Sequence, residues 1–295
     1  MKRIVNASLA PGDLPLIVGD ALATISPVIR SAGINNPEAE ARLLISVALE
    51  WSLEQVWLRA EAPICRNDQE RIIKVLRRRL AHEPFAYISG KQEFWSLEYL
   101  VGKGCLIPRP DSECLIEAAL EILPPCNVST SVLDLGTGSG CLLLSLLSEC
   151  PALWGVGVDI SSKALEYAER NAAKFSLSDR ALFIRSDWGS CLNFRFDLVL
   201  CNPPYVEAGE VSALMPEVAH YEPAVALSGG RDGLDCYRLL AHRLPDLLTT
   251  DGKVCLEIGL GQVSSVKHIF SESGLQQYSE KKDLSGVVRC LVFAL

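Results

Sequence analysis

From about residue 130 onward, short continuous apolar runs alternate with stretches of helical periodicity, and this alternation constrains the fold more than any other feature. The runs are Val132 to Leu135, Gly155 to Asp159, Leu182 to Arg185, Phe196 to Leu200 and Lys253 to Ile258. A strand that is apolar on both sides must be covered on both faces, and helical crossovers between such strands make neighbours parallel. The expectation is therefore an α/β unit with a parallel sheet, in which Lys163 to Phe175 forms one crossover helix. Two further runs, near Leu275 to Lys281 and Val287 to Phe293, have no long helix between them and predict an antiparallel pair at one edge.

Three successive strand ends carry polar or glycine-rich sequence, at the place where open α/β sheets bind ligands. The first ends in Asp134-Leu135-Gly136-Thr137-Gly138-Ser139-Gly140. Its glycines allow a sharp turn and close approach of a ligand to the backbone. Their G-x-G-x-G spacing does not meet the dinucleotide fingerprint, and no Gly-Lys-Ser/Thr ending supports a phosphate loop. The second strand ends at Asp159, about twenty residues on, where a carboxylate can accept hydrogen bonds from both hydroxyls of a ribose. The third ends in Ser186-Asp187-Trp188, a polar group followed by an aromatic plane suited to an adenine ring. Alone, Asp159 reads equally well as a helix cap and Trp188 as a core residue; their joint placement favours a ligand site.

The fourth strand ends in Asn202-Pro203-Pro204-Tyr205. Two prolines can simply stop a strand. The tetrapeptide also has a specific chemistry: the Asn202 side-chain carbonyl and the Pro203 main-chain carbonyl can converge as two acceptors, while Pro204 stiffens the turn without adding an N–H. Two adjacent acceptors bind an NH2 group, and Tyr205 offers a flat face to a planar one. Planar NH2 groups occur on adenine, cytosine, glutamine and asparagine, where the nitrogen lone pair is delocalised. Holding both N–H bonds draws that nitrogen towards tetrahedral geometry and stabilises the positive charge it gains while attacking a sulfonium methyl.

Upstream the pattern is different. Residues 16–83 show apolar residues at helical spacing, with starts expected at Asn36-Pro37-Glu38, where Asn36 supplies a capping side chain, and at Asn67 with Glu70 three residues later. Arg71, Lys74, Arg77 and Arg78 lie mostly opposite the apolar stripe, as a solvated face or a docking surface. Residues 84–110, with Ala86-Tyr87-Ile88-Ser89-Gly90 and Phe94 to Leu100, suggest a β-hairpin linker, after which Asp111 or Ser112 can cap a helix. The expected organisation is an N-terminal extension (1–15), a helical substrate-docking domain (16–83), the linker (84–110) and a catalytic domain (111–295).

Composition narrows the function. The chain has 295 residues and a formal charge of -8, with 14 basic and 12 acidic groups in residues 1–110 and 14 basic and 24 acidic groups in the remainder. A catalytic part at -10 disfavours a polyanion-gripping protein. Eleven cysteines without a C-x-x-C pair, mostly inside apolar runs, read as reduced core residues of a cytoplasmic protein. Four scattered histidines offer no metal site, and no apolar run is long enough for a membrane span.

These residues resemble the class I S-adenosylmethionine-dependent methyltransferases, and the chain from about residue 20 to 295 resembles the release-factor glutamine methyltransferase family. The likeness extends through Glu83 to Gly90, Leu106 to Glu113, Tyr221 to Leu227, Gly229 to Gly233, Leu256 to Gly259 with Gln262, and Lys282 to Gly286 with Arg289. Asp111-Ser112-Glu113 departs slightly from the family's commoner Glu-Thr-Glu or Asp-Thr-Glu. The resemblance implies a Rossmann-like seven-stranded sheet behind a small helical domain, S-adenosyl-L-methionine as cofactor, and class 1 peptide chain release factors as protein substrates, methylated on the Gly-Gly-Gln glutamine. It implies cofactor contacts from Gly136, Thr137, Gly138, Ser139, Gly140, Asp159, Asp187, Trp188 and Asn202. Asn202, Pro203, Pro204 and Tyr205 would hold the substrate, with Asn202, Pro203 and Tyr205 catalytic. Alternatives are a ribosomal-protein glutamine methyltransferase, disfavoured by Pro108 to Glu113, and an adenine methyltransferase, which would carry a basic recognition domain. A non-catalytic cofactor-binding module would not need an intact tetrapeptide.

Overall fold

A computed structural model describes residues 9–123, 125 and 128–295; residues 1–8 of the expected extension and Cys126 lie outside them. The chain divides between Ser89 and Gly90 into two compact units.

The first unit is helical: α1 Val18–Ser31, α2 Pro37–Leu49, α3 Leu53–Leu58, α4 Arg66–Leu80 and α5 Phe85–Ser89. Ile25, Ile29, Leu44, Ile45, Ile72 and Ile73 pack into its core, as the helical spacing requires. Leu14 is buried there too, and its carbonyl accepts a bond from Gln69 Nε2, so the expected extension is in part integral to this unit. Two helix starts differ in detail from expectation. Asn36 flanks α2 in a left-handed conformation (φ 51°) and makes no side-chain cap, leaving Pro37 and the acids of the first turn to begin the helix. The α4 cap is Cys65, not Asn67, because the Asp68 carboxylate reaches back to the Cys65 N–H (3.4 Å). Residues 85–89 are helical where a hairpin is expected. Ala86, Tyr87 and Ile88 are all buried instead of alternating, and the Arg78 guanidinium caps the Tyr87 carbonyl at 3.0 Å while pairing with Glu83. Arg78 is thus occupied within the fold.

The second unit opens with a hairpin, β1 Lys91–Phe94 and β2 Leu97–Leu100, turned by Trp95 and Ser96 at φ 51° and 58°. Such a primed turn matches strand twist. The Trp95 indole donates to Glu149 (2.7 Å) and its N–H to Glu113 (2.8 Å), which holds two non-glycine residues in that conformation. Tyr99 is fully buried and bonds Ser145 (2.7 Å), and Leu100 exchanges bonds with Asn171. Of the segment expected as a linker, residues 84–89 belong to the first unit and residues 90–110 are built into the second.

Helix α6 Glu113–Ile122 leads into the sheet: β3 Thr130–Leu135, α7 Cys141–Glu149, β4 Leu153–Asp159, α8 Ser162–Lys174, β5 Ala181–Arg185 and β6 Phe196–Cys201. These are followed by α9 Pro216–Tyr221, α10 Asp235–Leu247, β7 Leu248–Glu257, α11 Val263–Glu272, β8 Gln276–Lys282 and β9 Val288–Ala294. The seven strands lie in the order β5-β4-β3-β6-β7-β9-β8. The first five run parallel and β9 is antiparallel to both neighbours, which makes the expected edge pair. Strand order reverses between β3 and β6, so the loops leaving them diverge to opposite faces and open a crevice at their carboxyl ends.

Candidate active site

That crevice is a cavity of about 270 Å³ whose walls include Gly136, Gly138, Asp159, Asp187, Trp188 and Asn202. The β3 loop turns on Gly136, Gly138 and Gly140 at φ 74°, 57° and 80°, a conformation that a β-carbon would strain. Of the five loop residues, Gly136 and Gly138 line the cavity, whereas Thr137, Ser139 and Gly140 are buried and do not line it. The Thr137 hydroxyl donates to Asp134 (2.7 Å) and the Ser139 carbonyl accepts from Asn171 (2.9 Å), so these two residues shape the loop. Burial pushes the Asp134 carboxyl up to about 7, and its Oδ1 has no partner among the described residues.

Asp159 ends β4 with one oxygen accepting from the Gly138 N–H and the other from the Ser161 N–H, both at 2.9 Å. A carboxylate has about four acceptor positions, so two remain for a ligand. Burial raises its pKa against the pull of those N–H groups. Trp188 sits at φ 45°, outside the range common for large side chains, and packs partly against the core. Ile160, half-exposed on the cavity wall, and Leu106, Pro223 and Val225 also line the site and were not foreseen. An apolar residue directly after a strand-end acid was the available signal for Ile160.

The tetrapeptide behaves as two parts. Asn202 and Pro204 border the cavity; Pro203 is buried, and Tyr205 packs partly against the core instead of lining the opening. Behind them runs a hydrogen-bonded chain. Asn202 Nδ2 donates to Ser112 Oγ (3.1 Å), Ser112 Oγ donates to Glu257 Oε2 (2.5 Å), and the Tyr205 hydroxyl donates to Glu257 Oε1 (3.2 Å). With Nδ2 so engaged, Asn202 Oδ1 lies on the opposite side of the amide. The Tyr205 carbonyl accepts from Gln262 Nε2 (3.1 Å), whose own Oε1 accepts from the Gly259 N–H (2.9 Å). Gly233 packs so closely that a β-carbon there would lie 2.4 Å from the Tyr205 oxygen. On the other rim, the buried Glu222 pairs with Arg109 and accepts the Ile107 N–H at 3.0 Å, tying the segment around Leu106 to that around Pro223. Among the described residues, no cluster of His, Cys, Asp and Glu could hold a metal, and no helix is long and apolar enough to cross a membrane.

Comparison with known proteins decides the family. Over 277 residues the chain is 41% identical to the release factor glutamine methyltransferase of Rhodospirillum rubrum, covering 94% of this chain and 85% of that one. The chain belongs to the release factor glutamine methyltransferase family. The enzyme of that name from Agrobacterium fabrum is 40% identical over 268 residues, covering 90% of this chain and 93% of the other. A family profile described as PrmC N-terminal domain matches residues 20–90, and one described as Methyltransferase small domain matches residues 112–221. The structure of a methyltransferase from Pyrococcus furiosus superposes with a TM-score of 0.52 at 17% identity, covering 67% of this chain and 88% of that chain, a likeness of fold.

Proposed function

We infer that the chain methylates the side-chain nitrogen of the glutamine in the Gly-Gly-Gln motif of class 1 peptide chain release factors, using S-adenosyl-L-methionine. Membership of the family and the placement of Asn202 on the same cavity as the glycine loop and Asp159 support this reading. The residues suit the cofactor: Asp159 has acceptor positions left for two ribose hydroxyls, and Trp188 and Ile160 flank the cavity with aromatic and apolar surface. S-adenosyl-L-methionine, when bound, supplies an electrophilic methyl group.

The chain's own contribution is to position and polarise the amide. Asn202 Oδ1 and the Pro203 carbonyl each accept one N–H of the glutamine NH2, which fixes the direction of the nitrogen lone pair and favours the positive charge that develops there. Pro204 and the Gln262 bond to Tyr205 keep these acceptors in register. Tyr205 anchors the turn through its hydroxyl bond to Glu257. Residues 16–83 serve as the docking domain for the folded release factor, so that the glutamine loop is delivered while the body of the substrate is held elsewhere. An exposed loop glutamine enters such a site without the unstacking cost of a few kcal/mol that a duplex base must meet.

The test is incubation of the protein with labelled S-adenosyl-L-methionine and purified release factor, followed by mass spectrometry of the labelled peptide. One methyl group on the Gly-Gly-Gln glutamine is expected. Transfer to adenine in DNA at a comparable rate, or to a ribosomal protein in preference to release factor, refutes the reading.

A further inference from the structure

We propose that Glu257, acting through the Ser112 hydroxyl, is a positioning residue that holds the Asn202 amide with its oxygen towards the substrate NH2. The proposal rests on the role given to Asn202 above, and it starts from the direction of two hydrogen bonds. Ser112 has one hydroxyl proton, and it goes to the Glu257 carboxylate (2.5 Å). Only lone pairs are then left for Asn202, and these accept Nδ2–H at 3.1 Å. Rotating the amide by half a turn would set Oδ1 against the same lone pairs, acceptor against acceptor. A carboxylate that never touches the substrate therefore selects which end of Asn202 faces it.

A carboxylate does this and a carboxamide does not. Gln at position 257 could offer an NH2 to Ser112, which would release the hydroxyl proton to donate to Asn202 Oδ1. The amide could then settle with its NH2 outward, a donor where the reaction needs an acceptor. Glu257 also accepts the Tyr205 hydroxyl, so both ends of the tetrapeptide are referred to one side chain. The residue is fully buried at the end of β7, and burial pushes its carboxyl up to about 7. A packing role alone would be filled by an apolar residue of similar volume without that penalty.

The groups facing Glu257 leave it as the one that titrates near neutrality in this cluster. From β9 come Arg289, which is ion-paired with Asp283 and Asp111, and Cys290. Asp111 lies just before α6 and raises the Glu257 pKa, against the lowering by Arg289. Cys114 from α6, Cys201 from β6, Tyr205 and Tyr237 from α10 all have pKa values raised by burial and stay protonated across the neutral range. Asp134, also shifted to about 7, lies at the cofactor loop.

The experiment measures kcat and KM for release factor at saturating cofactor, together with cofactor Kd by calorimetry, for the wild type, Glu257→Gln, Ser112→Ala, Ser112→Thr and the Glu257→Gln/Ser112→Ala pair. Expected are falls in kcat of about tenfold to a hundredfold for the first two variants, with KM and Kd moved less than about threefold. Ser112→Thr, which keeps the hydroxyl, is expected to recover most of kcat, and the double variant to be no worse than the worse single one. In the wild type kcat is expected to rise with pH through about 7, and in Glu257→Gln that acid limb is expected to be lost. Wild-type kcat in Glu257→Gln, an unchanged acid limb, or losses that add in the double variant overturn the proposal. Melting temperatures identify any variant that has failed to fold, and Ser112→Thr and Glu257→Gln then serve as independent tests. If the wild type itself transfers no methyl to release factor, the functional reading fails and takes this proposal with it; an active wild type with fully active variants refutes the proposal alone.

Discussion

Replacing Asp159 tests the cofactor half of the site with a magnitude that follows from its contacts. Its two oxygens hold the Gly138 and Ser161 N–H groups at 2.9 Å each, and the residue borders the cavity. Two ribose hydroxyls on an ionised carboxylate make charge-assisted bonds, and after rehydration of the freed hydroxyls their joint loss costs roughly 1.5 to 3 kcal/mol. Asp159→Ala should therefore weaken S-adenosyl-L-methionine binding by about tenfold to a hundredfold. The Gly138 N–H also loses its acceptor in that variant, which loosens the loop and pushes the result towards the upper end. Asp159→Asn keeps one acceptor and the side-chain shape, so its loss should be smaller. Burial raises the Asp159 pKa, so protonation removes an acceptor at a higher pH than for an exposed aspartate, and wild-type affinity should fall on acidification. Titration calorimetry at several pH values, with melting curves to verify folding, measures all three effects. Unchanged affinity in folded Asp159→Ala, or a larger loss for Asn than for Ala, would refute the assignment.

Asn202→Ala should lower single-turnover methylation by about a hundredfold or more, by analogy with removal of one oxyanion-hole donor, while cofactor affinity by calorimetry changes little; near-normal turnover would show the acceptor pair to be misassigned. Gly233→Ala meets both a left-handed backbone (φ 72°) and a contact at 2.4 Å with the Tyr205 carbonyl, so it should lower the melting temperature and activity together. Gly261→Ala, at φ 81° with open space around it, provides a comparison that carries backbone strain alone. Glu222→Ala removes the partner of Arg109 and the acceptor of the Ile107 N–H; because Arg109 stays partly solvated, a cost of about 1 to 3 kcal/mol in denaturant unfolding is expected, with weaker cofactor binding as the Leu106 wall loosens. Burial pushes the Glu257 carboxyl from its ordinary value of 4.5 up to about 7 in the folded protein, so the native state binds more protons between those values and stability is expected to fall as pH rises through that window. Glu257→Gln should flatten the decline without abolishing it, because Asp134 is shifted in the same direction to about 7, and urea unfolding across that range measures both slopes.

What was legible in the sequence, and what was not, follows from the range of each interaction. The parallel strands, the crossover helices and the edge pair announce themselves by local periodicity, since a strand buried on both faces has no alternative to continuous apolar residues. The strand-end residues Asp159, Trp188 and Asn202 border one cavity because topology gathers the carboxyl ends of the strands on one side of the sheet. The errors came where a side chain works at a distance. Asn36 and Asn67 look like caps, yet the bonds at those starts depend on backbone angles and on which acid lies three residues in, and Asp68 served Cys65. The Ala86 to Ser89 segment has aromatic and β-branched character, but Arg78 from the preceding helix turns its carbonyls into a helix end. Ser112 looks like a cap at position 112 and is instead a relay between residues 202 and 257, separated by 90 and 145 positions along the chain. Local propensity carries no trace of such a link. The one local sign was a charge out of place, the acid in Val254-Cys255-Leu256-Glu257-Ile258, where every neighbour demands an apolar residue. A buried carboxylate kept in such a run at a cost in stability is a better guide to the working parts of this sheet than the loop glycines, because the glycines answer to the backbone and the carboxylate answers to a partner.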